Sequence, residues 1–412
     1  MDASNIDGIS AWVVERGLCG DSEIALLQGF CERCYEAGLL LSRGTAIIDT
    51  LHPVYEGRAF FWARDKALPS PVSEYGPSTT ADSAAQWHRS PFYYLLQGSE
   101  NELRRRLETN EHTGFDVIDE LRAEGQTDYI AFIQRFGQEA AIGEMDCFLS
   151  RWLTMKPGGF SDADVGALRR LVPLLGLAIK STSLARVAQS LVETYLGRDA
   201  GRRVLAGRMS RGSVDKIHAV LWFSDIRGYT ALSEEMASDQ LIPLLDDYAE
   251  AVISAIHGAG GDVLKLIGDG VLAIFNADDP AAASRAALQA EAALHVNLEA
   301  LKERRAAAGM PIASIYIGLH IGDVFYGNIG SKDRLDFTVV GEAVNEASRI
   351  SSMCASVGRE ILFSSDFVAA LPDEEKSKLV SVGRYALRGV RRPQELFTLD
   401  PEVPGTAERH GF

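Results

Sequence analysis

The sequence predicts a two-domain chain of the α/β (α+β) class, and three observations carry that expectation. Strand-like apolar runs alternate with helix-periodic stretches along most of the 412 residues. That length exceeds one ordinary domain, at roughly 150 residues per domain. A long helical pattern from Ser161, "SDADVGALRRLVPLLGLAIKSTSLARVAQSLVETYLG", separates two such regions. The expected boundaries are a first domain over 1–180, a helix and junction over 181–212, a second domain over 213–402 and a tail over 403–412.

In the first domain an opening helix is expected from the apolar positions Ile24, Leu27, Phe30, Cys34 and Leu39. Strands are expected in "GTAIIDT", "GRAFFWARD", "DYIAFIQRF" and "DCFLSRW". The polar, turn-rich "LPSPVSEYGPSTTADS" reads as a loop or a ligand-covering flap. Ser161 fits the N-cap of the long helix, with Asp162 and Asp164 in its first turn. Leu184, Val187 and Leu191 fall at a, d, a spacing, which predicts a short coiled coil with a second copy. Gly197, Gly201, Gly207 and Gly212 then interrupt any further long helix and mark the junction. This order of helix, central strands and exit helix resembles GAF-type small-molecule sensor domains. The resemblance implies a regulatory ligand, with Phe60, Phe61, Trp62 and Trp87 able to line a pocket or simply to fill core; the alternative is an unliganded dimerisation domain.

A formal net charge of -16 disfavours nonspecific binding to nucleic acid or anionic membranes. No apolar stretch reads as a membrane span, and the acidic, polar start lacks a signal-peptide pattern, so a cytoplasmic location is expected. Five cysteines cannot form a disulfide framework. Cys31 and Cys34 make one CxxC without a second pair, which reads as two thiols on one helical face rather than a metal or redox site.

The second domain carries the chemistry. In "HAVLWFSDIRGYTALS" an apolar strand stops at Asp225. In "GGDVLKLIGDGVLAIF" two apolar runs flank a tight turn with Asp269 at its tip, the D-G pair tolerating the positive φ a hairpin requires. Two strand-end carboxylates suit a hard cation such as Mg²⁺, which binds one or two carboxylates and keeps other positions for water and phosphate.

The segments "FSDIRGYT", "KLIGDGVLAIF", "IGLHIGDVFYGNIG", "DFTVVGEAVNEASRI" and "YALRGVRRPQELFTL" resemble, in order and spacing, class III adenylate/guanylate cyclase catalytic domains. The resemblance implies a ferredoxin-like βαββαβ core. It implies that Asp225 and Asp269, with the backbone of Ile226, hold two Mg²⁺ ions, for which Mn²⁺ can substitute. Gly228, Tyr229 and Thr230, after Ile226, would present backbone N–H groups to a triphosphate. Asn345 would orient the ribose, Arg349 would stabilise charge on phosphorus, and Arg388 would contact the terminal phosphates.

Lys265 and Thr338 match the family's base-reading positions. Lys265 can donate to adenine N1 and Thr338 can accept from the N6 amino group, whereas guanine would oppose Lys265 with a donor. The implied activity is therefore ATP to 3′,5′-cyclic AMP and pyrophosphate, by a homodimer joined through the catalytic domain and the linker helix. The alternatives are a guanylate or dual-specificity cyclase and a catalytically silent nucleotide-binding module of the same fold.

Overall fold

The computed structural model describes residues 1–403 apart from 65–68, 77–80, 110–112, 138–141, 144 and 391, with side chains left aside at 81–84. The chain divides into two compact units, Met1–Leu191 and Val192–Phe412.

The first unit runs α1 (Ala3–Leu18), α2 (Glu23–Glu36), β1 (Arg43–Asp49), β2 (Gly57–Ala63), β3 (Val72–Tyr75), α3 (Ala81–His88), α4 (Pro91–Gln97), β4 (Glu102–Arg106), α5 (Asp116–Ala123), β5 (Asp128–Arg135), β6 (Cys147–Thr154) and α6 (Asp162–Leu196). Its antiparallel sheet has the order β3-β2-β1-β6-β5-β4. Residues 2 apart on a strand share a face, and the sheet uses both. Phe60, Trp62, Phe148 and Trp152 pack under α1, α2 and α6. Tyr129, Ala131, Leu149 and Leu153 pack under α4 and α5.

Four of the six strands coincide with the expected runs. The expected loop over 68–83 instead contains β3 and the start of α3, because Val72–Tyr75 extends the sheet edge beside β2; its residues 68 and 77–80 lie outside the described residues, as do 404–412 of the tail. Cys31 and Cys34 are buried thiols on α2, and burial pushes both up. Phe60 and Trp62 are core, Phe61 is half-buried and Trp87 is exposed.

Ser161 caps α6 as expected: its Oγ accepts from Asp164 N–H (3.2 Å), and its own N–H donates to the Asp164 carboxylate (3.0 Å). No span was expected, yet by length and composition α6 is apolar enough to cross a membrane. Leu168, Leu171, Val172, Leu175 and Ile179 are fully buried, as in the core helix of a globular unit. The coiled-coil expectation needs correction. Val187 is 1% exposed within the single chain and Leu184 packs against the core, so neither is free for a second helix. Glu23 holds that turn in place. Its carboxylate accepts from Arg186 Nε (3.1 Å) and Nη2 (3.0 Å) and from Ser183 Oγ (3.3 Å). Burial works to raise the Glu23 carboxyl, but these bonds hold it below its ordinary value.

The second unit contains α7 (Arg198–Leu205), β7 (Val214–Ile226), α8 (Tyr229–Glu235), α9 (Ser238–Gly258), β8 (Asp262–Ile267), β9 (Gly270–Asn276), α10 (Pro280–Ala307), β10 (Ile315–Gly330), β11 (Leu335–Val340), α11 (Glu342–Val357), β12 (Ile361–Ser364), α12 (Ser365–Ala370), α13 (Asp373–Lys376), β13 (Leu379–Tyr385) and β14 (Gln394–Leu399). The central strand order β10-β7-β9-β8, with α9 and α10 on one face, is the ferredoxin-like βαββαβ arrangement. β12, β14 and β13 extend it, and β11 folds back on β10.

Of the helix and junction expected over 181–212, residues 192–212 belong to this unit. The helix α7 buries Ala200 against Leu264, Leu272 and Tyr326. Gly197 precedes it at φ +87°, where a Cβ would stand 2.4 Å from the Val263 carbonyl oxygen, so only glycine fits.

Candidate active site

The apolar run Ala219–Trp222 is fully buried because β7 lies between β10 and β9 in the sheet centre. Asp225 stands at its end, half-buried. The β8–β9 hairpin brings Asp269 beside it through a two-residue turn. Positive φ falls on Gly268 (+63°), ahead of Asp269, and not across the Asp269–Gly270 pair as the sequence implied. Gly270 permits the close approach, since a Cβ there would lie 2.9 Å from Ser224 O.

The Ile226 N–H donates to Asp269 Oδ2 (2.9 Å), and Ser351 Oγ donates to Asp225 Oδ1 (3.3 Å). Burial, then the Asp269 charge, pushes the Asp225 carboxyl up to about 6, against the Ser351 bond. The acids line a cleft of ≈ 210 Å³ together with Ile242, Asp246, Tyr248 and Leu266. Among the described residues no three His, Cys, Asp or Glu side chains converge. The donor set is thus two carboxylates that repel each other, which suits a hard divalent cation completed by water and phosphate oxygens.

Gly228, at φ +69°, turns the chain into α8, and Tyr229 and Thr230 form its first turn, whose N–H groups have no intrahelical acceptor. Asn345 and Arg349 are exposed on α11, four residues apart. At 100° per residue, Ser351, which reaches Asp225, stands about 160° from Arg349 and about 120° from Asn345 around the helix. The structure therefore brings Asp225 and Asp269 together but turns Asn345 and Arg349 away from them. Arg388 is exposed in the turn after β13.

Lys265 on β8 and Thr338 on β11 lie on neighbouring hairpins, yet Thr338 is 9% exposed and the ammonium of Lys265 pairs with Asp336. Sequence reasoning missed Asp336. The strand period would have found it, because residues 336 and 338 share one face of β11. Ser351 carried no sequence signal, since only the packing of α11 on β7 and β10 brings it to Asp225.

Helix α11 is seated by a buried polar cluster. His320 of β10 is 3% exposed, with Nδ1 2.8 Å from Ser364 Oγ and Nε2 3.4 Å from the Glu346 carboxylate. Gln394 Nε2 donates to the same Glu346 oxygen (3.2 Å). Burial holds His320 down to about 4, although Asp366 pulls it up. Glu346 is itself pushed up by burial and by Asp366.

Residues 213–401 match the family described as the adenylate and guanylate cyclase catalytic domain. An adenylate cyclase of Anabaena cylindrica is 35% identical over 168 residues, 41% of this chain and 34% of that protein. Adenylate cyclase 1 of Rhizobium meliloti is 32% identical over 157 residues, 37% of this chain and 23% of that protein. The chain thus spans about a third or less of these curated relatives. The solved adenylyl cyclase CyaB from P. aeruginosa is similar at 27% identity and TM-score 0.42, over 47% of this chain and 98% of that one. The C-terminal part of this chain, residues 213–401, belongs to the class III adenylate and guanylate cyclase catalytic domain family.

Proposed function

We propose that the C-terminal unit converts ATP to 3′,5′-cyclic AMP and pyrophosphate, at a site shared by two copies of the chain and regulated by the N-terminal unit. The observation that carries this reading is the convergence of Asp225 and Asp269 at the mouth of one cleft. When bound there, two Mg²⁺ ions would acidify the ribose 3′-hydroxyl and neutralise phosphate charge. Asp225 and Asp269 hold them, with the Ile226 N–H fixing one carboxylate and Ser351 the other.

The 3′-oxygen loses its proton to solvent water and bonds the α-phosphorus, and the bond to the bridging oxygen breaks as pyrophosphate leaves. Arg349 places a permanent planar charge on the phosphoryl oxygens, Asn345 orients the ribose and Arg388 meets the terminal phosphates. Lys265 donates to adenine N1. In the free chain Asp336 pairs with the Lys265 ammonium.

Two features support a shared site. The cleft, at ≈ 210 Å³, is below the ~300–1,000 Å³ of ordinary ligand pockets. In addition, Asn345 and Arg349 point away from the acids of their own chain. A head-to-tail dimer with a two-fold axis would supply each acid pair with the other copy's Asn and Arg.

The test is complementation. Asp225→Asn and Arg349→Ala should each be inactive. Mixed after dissociation, they should recover about a quarter of wild-type activity, because half of the dimers are mixed and each has one intact site. Asp225→Asn mixed with Asp269→Ala should recover nothing. No recovery in the first mixture, despite demonstrated subunit exchange, would defeat the shared site.

A further inference from the structure

An arginine at the middle of a central strand needs a partner, and among the described residues Arg151 has no acidic one. It lies on β6 between Thr45 of β1 and Ala131 of β5. Its Nε donates to Thr45 Oγ1 (3.1 Å), and among the described residues no carboxylate pairs with its guanidinium. The side chain is half-buried; burial pushes its pKa down, against the pull of Tyr129 and Glu124. Its diagonal neighbour Tyr129 is fully buried, on the same face of the sheet, and its hydroxyl has no hydrogen-bond partner among the described residues. Burial raises that phenol to about 12, while Arg151 pulls it back, so the two groups are in electrostatic reach.

The third group is Arg43, one strand over and opposite Leu153, which is ion-paired with Glu124. Among the described residues the cluster therefore holds two guanidiniums and one carboxylate, leaving one positive charge in excess. In this cluster the orphaned buried donor among the described residues is the Tyr129 hydroxyl, and such a donor costs free energy unless something outside the chain completes it. A guanidinium fork with a hydroxyl beside it matches the two coplanar oxygens of a carboxylate, or two oxygens of a phosphoryl group.

We propose that the face of the N-terminal sheet bearing α4 and α5 binds the oxyanion group of a small molecule, carboxylate or phosphoryl. Arg151 takes two oxygens through its fork, Tyr129 donates its hydroxyl, and Thr45 holds the guanidinium plane. The site is independent of what the C-terminal unit catalyses.

Hydrogen exchange of the full-length chain tests this, with sodium phosphate or sodium acetate compared against sodium chloride at matched ionic strength. Segments 43–49, 128–135 and 147–154 are read, so phosphate bound at the catalytic cleft does not enter. Exchange there should slow by about threefold or more at saturating anion, by mass action on local opening. Arg151→Gln should abolish the protection and Tyr129→Phe should weaken it. Should Arg151→Gln fail to fold, Tyr129→Phe still decides: it removes an orphaned hydroxyl, so in chloride it should melt no lower than wild type. Protection by acetate alone assigns a carboxylate, by phosphate alone a phosphoryl group, and by both the shared chemistry. No protection of wild type by either anion, or equal protection in every variant that folds, overturns the site.

Discussion

Replacing His320 with Asn should remove a defined part of the acid sensitivity of the catalytic unit. In the folded chain burial holds this imidazole at about 4, against an ordinary 6.5, with Glu346, Asp366, His218 and Ser364 around it. The folded state therefore binds fewer protons than the unfolded chain, so its stability is complete above 6.5 and falls as the pH drops below it. Between about pH 8 and pH 5.5 the loss is ~1.4 kcal/mol, from ~1.36 kcal/mol per pKa unit and the protonated fraction of the unfolded chain. The Asn amide can still reach Ser364 but cannot be protonated. Its smaller size lowers stability at every pH, so the readout is the difference between the two pH values. Trp222 is the one tryptophan of Val192–Phe412, and urea unfolding followed by ¹⁹F NMR of 5-fluorotryptophan-labelled protein reads that unit alone. Wild type should lose about 1.4 kcal/mol more than the variant between the two conditions. Equal losses would show that the imidazole is not held neutral, and the reasoning from burial would be refuted.

Two further outcomes follow from the site. Lys265→Glu with Thr338→Cys should shift the ATP:GTP preference towards GTP, and adding Asp336→Asn should shift it further, because an acid at 265 would face Asp336. At least a tenfold change in relative kcat/KM is expected for an inverted hydrogen-bond edge; an unmoved ratio would mean that these residues do not read the base. Gly318→Ala should cost ~1–3 kcal/mol by overpacking, since a Cβ would sit 2.4 Å from Ser351 N and 2.6 Å from Ala347 O. Activity should fall more than stability, because the displaced helix carries Asn345, Arg349 and Ser351; unchanged urea midpoints would contradict that close contact.

Much of the candidate site was legible because its carboxylates sit where patterns break. Asp225 ends an apolar run, and Asp269 occupies a turn between two others. Asn345 and Arg349 needed the family resemblance, since two polar residues on a helix look like any solvated face. Asp336 was hidden by attention to Thr338, although strand alternation places both on one face. In the first unit β3 and β4 were missed because "VSEY" and "ELRRR" are polar edge strands whose pairing, not composition, makes them strands. The a, d, a spacing of Leu184, Val187 and Leu191 was real but answers to the chain's own core. A heptad fragment cannot tell its own domain from a second copy, and the decisive clasp, Glu23 to Arg186, spans 163 positions of sequence.

Gly197 sets a rule for anyone exchanging the N-terminal unit of this protein for another. Its lack of a side chain is required by the Val263 carbonyl, two positions before Lys265 on the same strand, so the catalytic module begins upstream of the motif-bearing region at 213. A donor helix must be joined within 192–196 and leave Gly197 and α7 intact. Each residue inserted there turns the incoming helix by about 100° and lengthens it by ~1.5 Å. A chimaera library should therefore vary that linker in single-residue steps through one full turn, and fusions cut at 213 should lose the buried contact of Ala200 and fold poorly.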